Sequence, residues 1–291
     1  MGIDVAVRAD AFTVDAAGGL ALDRSSFENM VIEAQLLEPG AIADGIAGRA
    51  IRTRLVLNDA FTVPDVDYEL TAEAIGINDM LVEDLEASGD GRVEDGGMVV
   101  PLNATARRVS GLPDTVGGLM TNLKANGTFR IADGRAVSDD LKLTTDRIDV
   151  TALIVADFAS GTYTGAIQGR VNRYEVPGLG LVDLVADIKL VPGPNGSFGL
   201  RGPIAVQTRR IDNETVQELF GGQAKMTADF TAPGNGIYGV ENIRVTAPGL
   251  RASGKGRYTP DGRIALTLAG TSRAYGRFTT AISGTTDAPV I

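Results

Sequence analysis

The stretch Arg263-Ile264-Ala265-Leu266-Thr267-Leu268-Ala269 decides the fold class. Its bulky apolar side chains fall on every second position, and small or polar residues occupy the positions between them. Successive side chains of a β-strand point to opposite faces of a sheet, so this alternation predicts a strand with one apolar face. Two further stretches repeat the pattern: residues 239–246 with Ile243 and Val245, and residues 140–144 with Leu141 and Leu143.

Turn signals separate these stretches at short intervals. Pro260-Asp261-Gly262 stands directly before the quoted strand, and Ala132-Asp133-Gly134 is the corresponding signal upstream. Both predict tight hairpins, because Asp and Gly tolerate the backbone angles of such turns. We interpret four more stretches as breaks between strands, namely Gly89-Asp90-Gly91, Asp95-Gly96-Gly97, Pro192-Gly193-Pro194-Asn195-Gly196 and Pro233-Gly234-Asn235-Gly236. This spacing predicts an antiparallel meander.

Two short segments have helical spacing instead. Residues 114–123 begin at Asp114, a plausible N-cap, and place apolar residues three and four apart at Val116, Leu119, Met120 and Leu123. Residues 213–220 do the same with Val216, Leu219 and Phe220 and end at Gly221-Gly222. The sequence therefore predicts a mainly β fold, a curved, repeat-like antiparallel sheet that forms a groove, with one or two short helices covering a sheet end.

A weak internal repeat indicates a modular chain. Residues 141–151 can be aligned with residues 243–253, and a poorer third copy begins near Asn29. In each of the first two copies, a predicted helix and then a short strand come before the aligned residues. We predict three modules: 1–110, a β-meander; 111–212, a β module that opens with a short helix; and 213–291, a β module that opens with the second helix.

The composition permits a sizeable core and bears on the class of partner. The chain has 291 residues, 44% of them hydrophobic, and a formal net charge of −10. Phosphate binding relies on clustered Lys and Arg, so we expect no nucleic acid partner. The pairs Arg107-Arg108 and Arg209-Arg210 are interpreted as isolated, solvated strand ends, and we expect no basic cluster elsewhere.

The residue types present leave few side chains that commonly act in catalysis. Histidine and cysteine are both absent, which removes the commonest general base, Ser-His nucleophile systems and thiolate metal sites. A carboxylate hydrolase remains the third hypothesis, but its candidate acids lie beside turns or at strand starts, where acids are usually solvated: Glu83-Asp84, Glu86, Glu94-Asp95 and Asp139-Asp140. We expect no enzyme, no catalytic residue, no cofactor and no metal site.

Several stretches resemble repeat units of the TamB translocation and assembly module family. The clearest is Val240-Glu241-Asn242-Ile243-Arg244-Val245-Thr246-Ala247-Pro248-Gly249-Leu250 with its continuation to Gly262, followed by Gly270 to Gly276 and Gly284 to Pro289. The stretches Tyr174-Glu175-Val176-Pro177-Gly178-Leu179-Gly180 and Asp183-Leu184-Val185-Ala186-Asp187 are similar to alphaproteobacterial members. The resemblance extends over most of the chain, and the first hundred residues match in style only.

This resemblance implies an internal segment of a large periplasmic protein of the AsmA-like superfamily. The parent would be anchored in the inner membrane, within the cell envelope, and this chain would lack its anchor helix, leader and C-terminus. The family implies a long curved sheet with an apolar groove, phospholipid transport between the inner and outer membranes, and outer-membrane protein assembly. The implied partners are phospholipid acyl chains and an outer-membrane barrel protein of the TamA type.

An antiparallel sheet with one bulky apolar face must cover it with another layer or leave it for a ligand. We therefore expect seven residues to line a lipid groove or the core: Leu141, Leu143, Ile243, Val245, Ile264, Leu266 and Leu268. Acyl chains suit such a face, since each buried CH₂ contributes about 0.8 kcal/mol. The alternation equally permits a closed core, in which case the chain would be a structural or adhesive β-solenoid or sandwich of the cell surface.

Overall fold

The computed structural model describes residues 1–41, 46–77, 80–94, 96–110, 120–176, 179–193, 198–285 and 289–290. They form a large open antiparallel β-sheet with one short α-helix, which confirms the predicted mainly β class. The chain divides into two compact units, residues 1–148 and 149–291. The three predicted modules stay a prediction. No helix of the described ranges is both long and apolar enough to cross a lipid bilayer.

The first unit is a meander in which almost every strand pairs with the next one. Its strands are β1 (Gly2–Arg8), β2 (Phe12–Ala21), β3 (Ser26–Leu36), β4 (Ile46–Arg49), β5 (Ile51–Ala60), β6 (Asp65–Ile77), β7 (Met80–Glu94), β8 (Gly97–Ser110), β9 (Thr121–Ala132) and β10 (Arg135–Thr144). A single 3₁₀ turn, Pro39–Ala41, follows β3. Strands β4 and β5 lie end to end along β6, because Ala50 between them adopts a left-handed conformation with φ of 53°.

The second unit continues the same pattern around one helix. Its elements are β11 (Ile148–Asp157), which begins at the last residue of the first unit, β12 (Thr162–Val176), β13 (Gly180–Pro192), β14 (Phe198–Ile211), α1 (Glu214–Phe220), β15 (Lys225–Ala232), β16 (Tyr238–Thr246), β17 (Leu250–Tyr258), β18 (Arg263–Ser272), β19 (Gly276–Thr285) and β20 (Pro289–Val290). From β12 to β20, each strand pairs antiparallel with its successor.

Most predicted turns lie between strands. Asp133 and Gly134 join β9 to β10 with φ angles of 49° and 72°, both positive, as a two-residue hairpin turn requires. Gly262 donates its N–H to the carbonyl oxygen of Thr259 at 2.9 Å and closes the turn before β18. The breaks near Gly96, after Pro192 and at residues 233–236 also separate strands. Asp95 and residues 194–196 lie outside the described residues.

The predicted break at Gly89-Asp90-Gly91 is wrong, because β7 runs through it without interruption. Gly89 instead makes room for a side chain of the preceding strand. The ring of Tyr68 crosses it, and the Tyr68 hydroxyl donates to the carbonyl oxygen of Pro101 on the following strand at 2.6 Å. A Cβ at Gly89 would lie 2.7 Å from that ring and would overlap the Pro101 carbonyl oxygen. The glycine therefore marks a close approach within a strand.

The second predicted helix is confirmed as α1. The side-chain oxygen of Asn213 accepts a hydrogen bond from the Val216 N–H at 3.1 Å, and Gly221 ends the helix in the left-handed conformation. The first predicted helix falls mostly on residues 111–119, outside the described residues. Its last three residues, 121–123, belong to β9, so a helix reaching Leu123 is wrong.

Several β-bulges interrupt the alternation along the described strands. Three of them carry a residue with a left-handed backbone: Asn29 in β3, Arg173 in β12 and Asn242 in β16, with φ of 51°, 53° and 52°. The pairing register shifts by one residue at each of them. Because of the extra residue in β16, Val240 and Ile243 pair with alternate residues of β17 and share one face although they are three apart in the sequence.

The two aligned copies of the sequence repeat form the same local connection. In the first copy, the Thr145 N–H donates to the Ile148 carbonyl oxygen at 2.9 Å, and in the second the Ala247 N–H donates to the Leu250 carbonyl oxygen at 2.8 Å. Leu141 and Ile243, which open the two copies, are each 6% exposed. The repeat therefore corresponds to a strand, a short turn and the start of the next strand.

Candidate functional site

The pairing register assembles one apolar row across eight strands of the second unit. Directly paired residues of an antiparallel sheet share a face. From β12 to β19 the successive partners are Val171, Leu184, Val206, Met226, Val245, Ala252, Gly270 and Phe278. None of the eight has a polar side chain, and all of them except Gly270 contribute hydrocarbon to the row.

Two further rows lie on the same face. One joins Phe230, Val240, Gly256, Leu266 and Ile282, and the other joins Ile243, Gly254, Leu268 and Thr280. We call these two rows, the eight-residue row and Ile264 of β18 the apolar face of the second unit. The β17 residues paired with Leu266 and Leu268 are the glycines Gly256 and Gly254. On that side, the two leucines of β18 therefore have no neighbouring side chain directly opposite them.

The bulky side chains that β18 contributes to this face are half-buried, whereas Ile243 of β16 is buried. Along β18, the half-buried Ile264, Leu266 and Leu268 alternate with exposed residues such as Thr267. Every strand from β12 to β19 belongs to the same sheet, and the residues of these strands on the other face are mostly polar. Apolar side chains of this size are usually more deeply buried in a closed core. The part of the apolar face that β18 forms is thus partly accessible to solvent.

Helix α1 covers one end of the apolar face. Its Leu219 and Phe220 pack on a small buried cluster of Ala224, Ala247 and Leu250, against which Val245 and Phe278 also pack. The opposite end carries three aromatic rings. The centroids of Phe230 and Tyr238 lie 6.3 Å apart and those of Tyr238 and Tyr258 lie 5.9 Å apart. The face is therefore closed by a helix at one end and edged by aromatic rings at the other.

The first unit has an apolar row of its own. The row begins on β1 and ends on β10, and it passes from β3 directly to β5 because these two strands pair with each other. Its members are Val7, Val14, Ala34, Thr53, Leu70, Ala87, Ala104, Ala125 and Leu143. Thr53 is the only polar member of this row. Leu141 is buried on the same face, where its backbone lies next to Gly127.

The seven predicted lining residues are divided between the two units. Leu141 and Leu143 lie on the apolar face of the first unit. Ile243, Val245, Ile264, Leu266 and Leu268 share the apolar face of the second unit. Of these five, Val245 packs beside the helix cluster. Whether they line a groove stays a prediction.

Sequence reasoning missed the contribution of β13 and β14 to the apolar face. Val182, Leu184 and Ile188 point to it from β13, and Ile204 and Val206 point to it from β14. Val182 is 2% exposed, so it is among the most deeply buried apolar side chains described. Alternation is present from residue 182 to residue 190. It is obscured because apolar residues also occupy the other face, as Leu181, Val185 and Val191 do.

Four of the acids considered for hydrolysis, Glu83, Asp84, Glu94 and Asp140, are engaged in structural contacts. Arg107 lies between the carboxylates of Glu83 and Asp84 and donates to Asp84 at 2.5 Å. Asp140 accepts the Thr128 N–H at 2.6 Å, and Glu94 pairs with Arg92, which lowers the pKa of the Glu94 carboxyl. In the parts of the chain that the structure describes, no three acidic side chains gather where they could hold a metal ion.

Two buried or partly buried groups have shifted pKa values for clear reasons. The Arg209 guanidinium donates to Asp183 at 2.6 Å and the Arg173 N–H donates to it at 3.0 Å, and together they lower the pKa of the Asp183 carboxyl. Burial, with the nearby Asp90 charge, raises the pKa of the Tyr68 phenol. Both groups form hydrogen bonds that join neighbouring strands, so their shifts have structural causes.

Comparison with models of protein families finds no family that matches this chain, and comparison with curated proteins finds no match either. The resemblance to the TamB family therefore stays a prediction.

Proposed function

We propose that the chain is a non-enzymatic segment of a periplasm-spanning protein of the TamB or AsmA-like kind. Its apolar sheet face holds phospholipid acyl chains and so supports phospholipid transport between the inner and outer membranes, outer-membrane protein assembly, or both. A barrel protein of the TamA type is the proposed outer-membrane partner.

The unbroken eight-residue row carries this proposal. Every member of this row except Gly270 has an apolar side chain, so an acyl chain lying across the strands beyond the end covered by α1 meets no polar side chain that it must desolvate. The half-burial of Leu266 and its neighbours in β18 leaves their outer surface free to contact such a chain.

The dimensions are suitable for an acyl chain. Eight strands at their usual spacing extend over roughly 34 Å, whereas one leaflet of the hydrocarbon core of a bilayer is about 15 Å thick. At about 0.8 kcal/mol for each buried CH₂, even part of a lipid tail would be held without a specific polar contact. This binding mode needs no histidine, thiol or metal, and it tolerates tails of different length.

The closed-core alternative, a structural or adhesive protein of the cell surface, requires a second layer over the same face. Among the described residues of the second unit, the only element outside the sheet is α1, and it covers the end at Val245 and Phe278. The half-buried side chains of β18 favour the lipid proposal for this reason.

The test is binding of a fluorescent long-chain fatty acid to the purified chain. We expect Leu266→Asn to weaken binding by about tenfold, since a leucine contact of 1.5 kcal/mol or more is lost. Thr267→Asn is the matched control, because residue 267 is the next in the chain and points to the opposite face. The proposal is wrong if the two variants bind equally well, or if the unmodified, folded chain binds no fatty acid.

A further inference from the structure

The polar face of the last strands is strongly cationic in an acidic protein. Residues 242–285 contain seven Lys and Arg residues and a single acid, Asp261, although the whole chain has a net charge of −10. Alternate positions of one strand share a face, so Arg251, Lys255 and Arg257 of β17 point the same way. The expected absence of a basic cluster is wrong here, because these residues are never adjacent in the sequence.

The register concentrates four arginines at one end of this face. Arg251 and Arg277 pair with the same residue, Thr271, from opposite sides, and Arg244 lies one step further along β16, opposite Ser253. Arg273 follows in the turn between β18 and β19, where its N–H donates to the Gly249 carbonyl oxygen at 2.8 Å. We call Arg244, Arg251, Arg273 and Arg277 the arginine patch.

These charges are available to an outside partner. Among the described residues, none of the four arginines has an acidic side chain within salt-bridge distance, whereas Arg209, Arg210 and Arg263 of the same unit are all paired. Arg244, Arg251 and Arg277 border a shallow, open depression of about 550 Å³. The comparable depression on the first unit is bordered by Glu69 and Glu86 as well as Lys124.

An exposed aromatic residue stands within the patch. Tyr275 lies at the tip of the β18–β19 turn, between Arg273 and Arg277, and is 75% exposed, more than any other large apolar or aromatic side chain described. The Ser272 hydroxyl accepts the N–H groups of Ala274 and Tyr275 at 3.2 and 3.4 Å, which fixes the turn. Tyrosine beside basic residues is typical of protein segments that lie at the head-group level of a bilayer.

We propose that the arginine patch and Tyr275 dock this unit on an anionic bilayer surface, the arginines contacting lipid phosphates and the tyrosine ring entering the head-group layer. Clusters of four or more basic residues bind anionic membranes, and each cation strengthens binding about fivefold. The patch lies on the opposite face of the sheet from the apolar rows, so this docking is independent of acyl-chain binding on the apolar face.

A bilayer fits the patch better than a nucleic acid does. Single strands bind through aromatic residues on which their bases stack, and the polar faces of β17, β18 and β19 carry none. Tyr275, the aromatic residue next to the arginine patch, lies at the tip of a turn. In that position its ring can enter a bilayer surface, but it does not form a platform on which several bases stack. A second copy of the chain would supply negative charge, for example from Asp67 and Asp90, which pair with each other in its first unit. It would offer no lipid head-group layer for the Tyr275 ring to enter.

The experiment is co-sedimentation of the full chain with vesicles of phosphatidylcholine, with and without 30% phosphatidylglycerol, at about 0.05 and 0.5 M salt. We expect binding to the anionic vesicles at low salt only. Arg244→Gln, Arg251→Gln and Arg277→Gln together should weaken it about a hundredfold, and Tyr275→Ser should weaken it severalfold. The matched control, Arg170→Gln, Lys189→Gln and Arg201→Gln, removes the same charge from β12, β13 and β14 and should bind nearly as the unmodified chain does.

Several outcomes would overturn the proposal. Equal loss in the control variant would show a diffuse charge effect, and binding to neutral vesicles would make the arginines irrelevant. An oligonucleotide that binds as tightly as the vesicles, with no effect of Tyr275→Ser, would assign the patch to nucleic acid. Salt-sensitive self-association without vesicle binding would assign it to a second copy. Fatty-acid binding by the triple variant should be unchanged, so the two proposals can fail separately.

Discussion

At the scale of single residues, polar side chains hold the bulged strands in register. Asp183 on β13 is the clearest example, because it accepts hydrogen bonds from the backbone N–H of the left-handed residue Arg173 and from the Arg209 side chain on the other neighbouring strand. Its side chain is only 17% exposed, so these contacts are partly shielded from water.

We predict that Asp183→Asn lowers the free energy of unfolding by about 2 kcal/mol at neutral pH, since charge-assisted hydrogen bonds are lost. The pKa of Asp183 is lowered in the folded chain. The carboxylate therefore stabilises the fold above its unfolded pKa of about 3.9, and this contribution is lost as the pH falls through the lower, folded pKa. The midpoint of urea unfolding, measured from pH 7 to pH 3, should differ most between the two proteins at pH 5 to 7, and the difference should shrink as the pH falls below about 4. A difference that is as large at pH 3 as at pH 7 would contradict this account.

The glycines of β7 provide the second residue-scale prediction. Gly89→Ala should destabilise the chain by about 1–3 kcal/mol, because the new methyl group meets the Tyr68 ring and the Pro101 carbonyl group. Gly91→Ala is the control two residues further along the same strand, where a Cβ finds its nearest neighbour at 3.5 Å, an ordinary contact. Urea unfolding should separate the two variants. If both substitutions have the same effect, the crossing of Tyr68 over Gly89 does not determine the need for glycine.

Individual residue roles were only partly predictable from the sequence. Asn242 belongs to a residue type that tolerates the left-handed conformation, so a bulge in β16 has a local signal. Arg173 gives no such signal, because the carboxylate that stabilises its conformation lies on the next strand. Gly89 was misread for the same reason, since the ring that requires it comes from β6.

At the scale of elements, α1 is stabilised mainly by its termini. The helix has seven residues and no buried side chain, so its caps carry much of its stability. We predict that Asn213→Ala destabilises it by about 1 kcal/mol. Gln217→Ala, in the middle of the helix, should have no destabilising effect, because alanine favours helices. Amide hydrogen exchange of residues 216–220 measures both. Unchanged exchange in the Asn213→Ala variant would show that packing on Ala247 and Leu250 alone holds the helix.

Element prediction succeeded where the signal is local. The cap, apolar spacing and glycine stop of α1 lie within ten residues of each other, and the alternation of β18 is complete within the strand itself. Prediction failed for residues 121–123, where helical spacing competed with pairing partners on β8 that a local pattern does not contain.

At the scale of the whole molecule, the sequence predicts the class of fold but not which residues line up in rows across paired strands. Alternation predicts that Leu266 and Leu268 share a face, yet the partners of that face depend on pairing register. One-residue bulges such as that at Asn242 shift this register, and a shift of one residue would exchange the two faces of a strand. The candidate site was therefore predictable strand by strand, and its continuity and the arginine patch were not.

The most direct test of the central claim is photocrosslinking in cells or with added phospholipid. A photoreactive amino acid at position 266 faces the apolar rows, and the same group at position 267 faces the polar side of the sheet. We predict that mass spectrometry finds phospholipid adducts on the chain labelled at position 266 and at most a tenth as many at position 267. Equal labelling at the two positions, or none at position 266 in a folded chain, would contradict the claim.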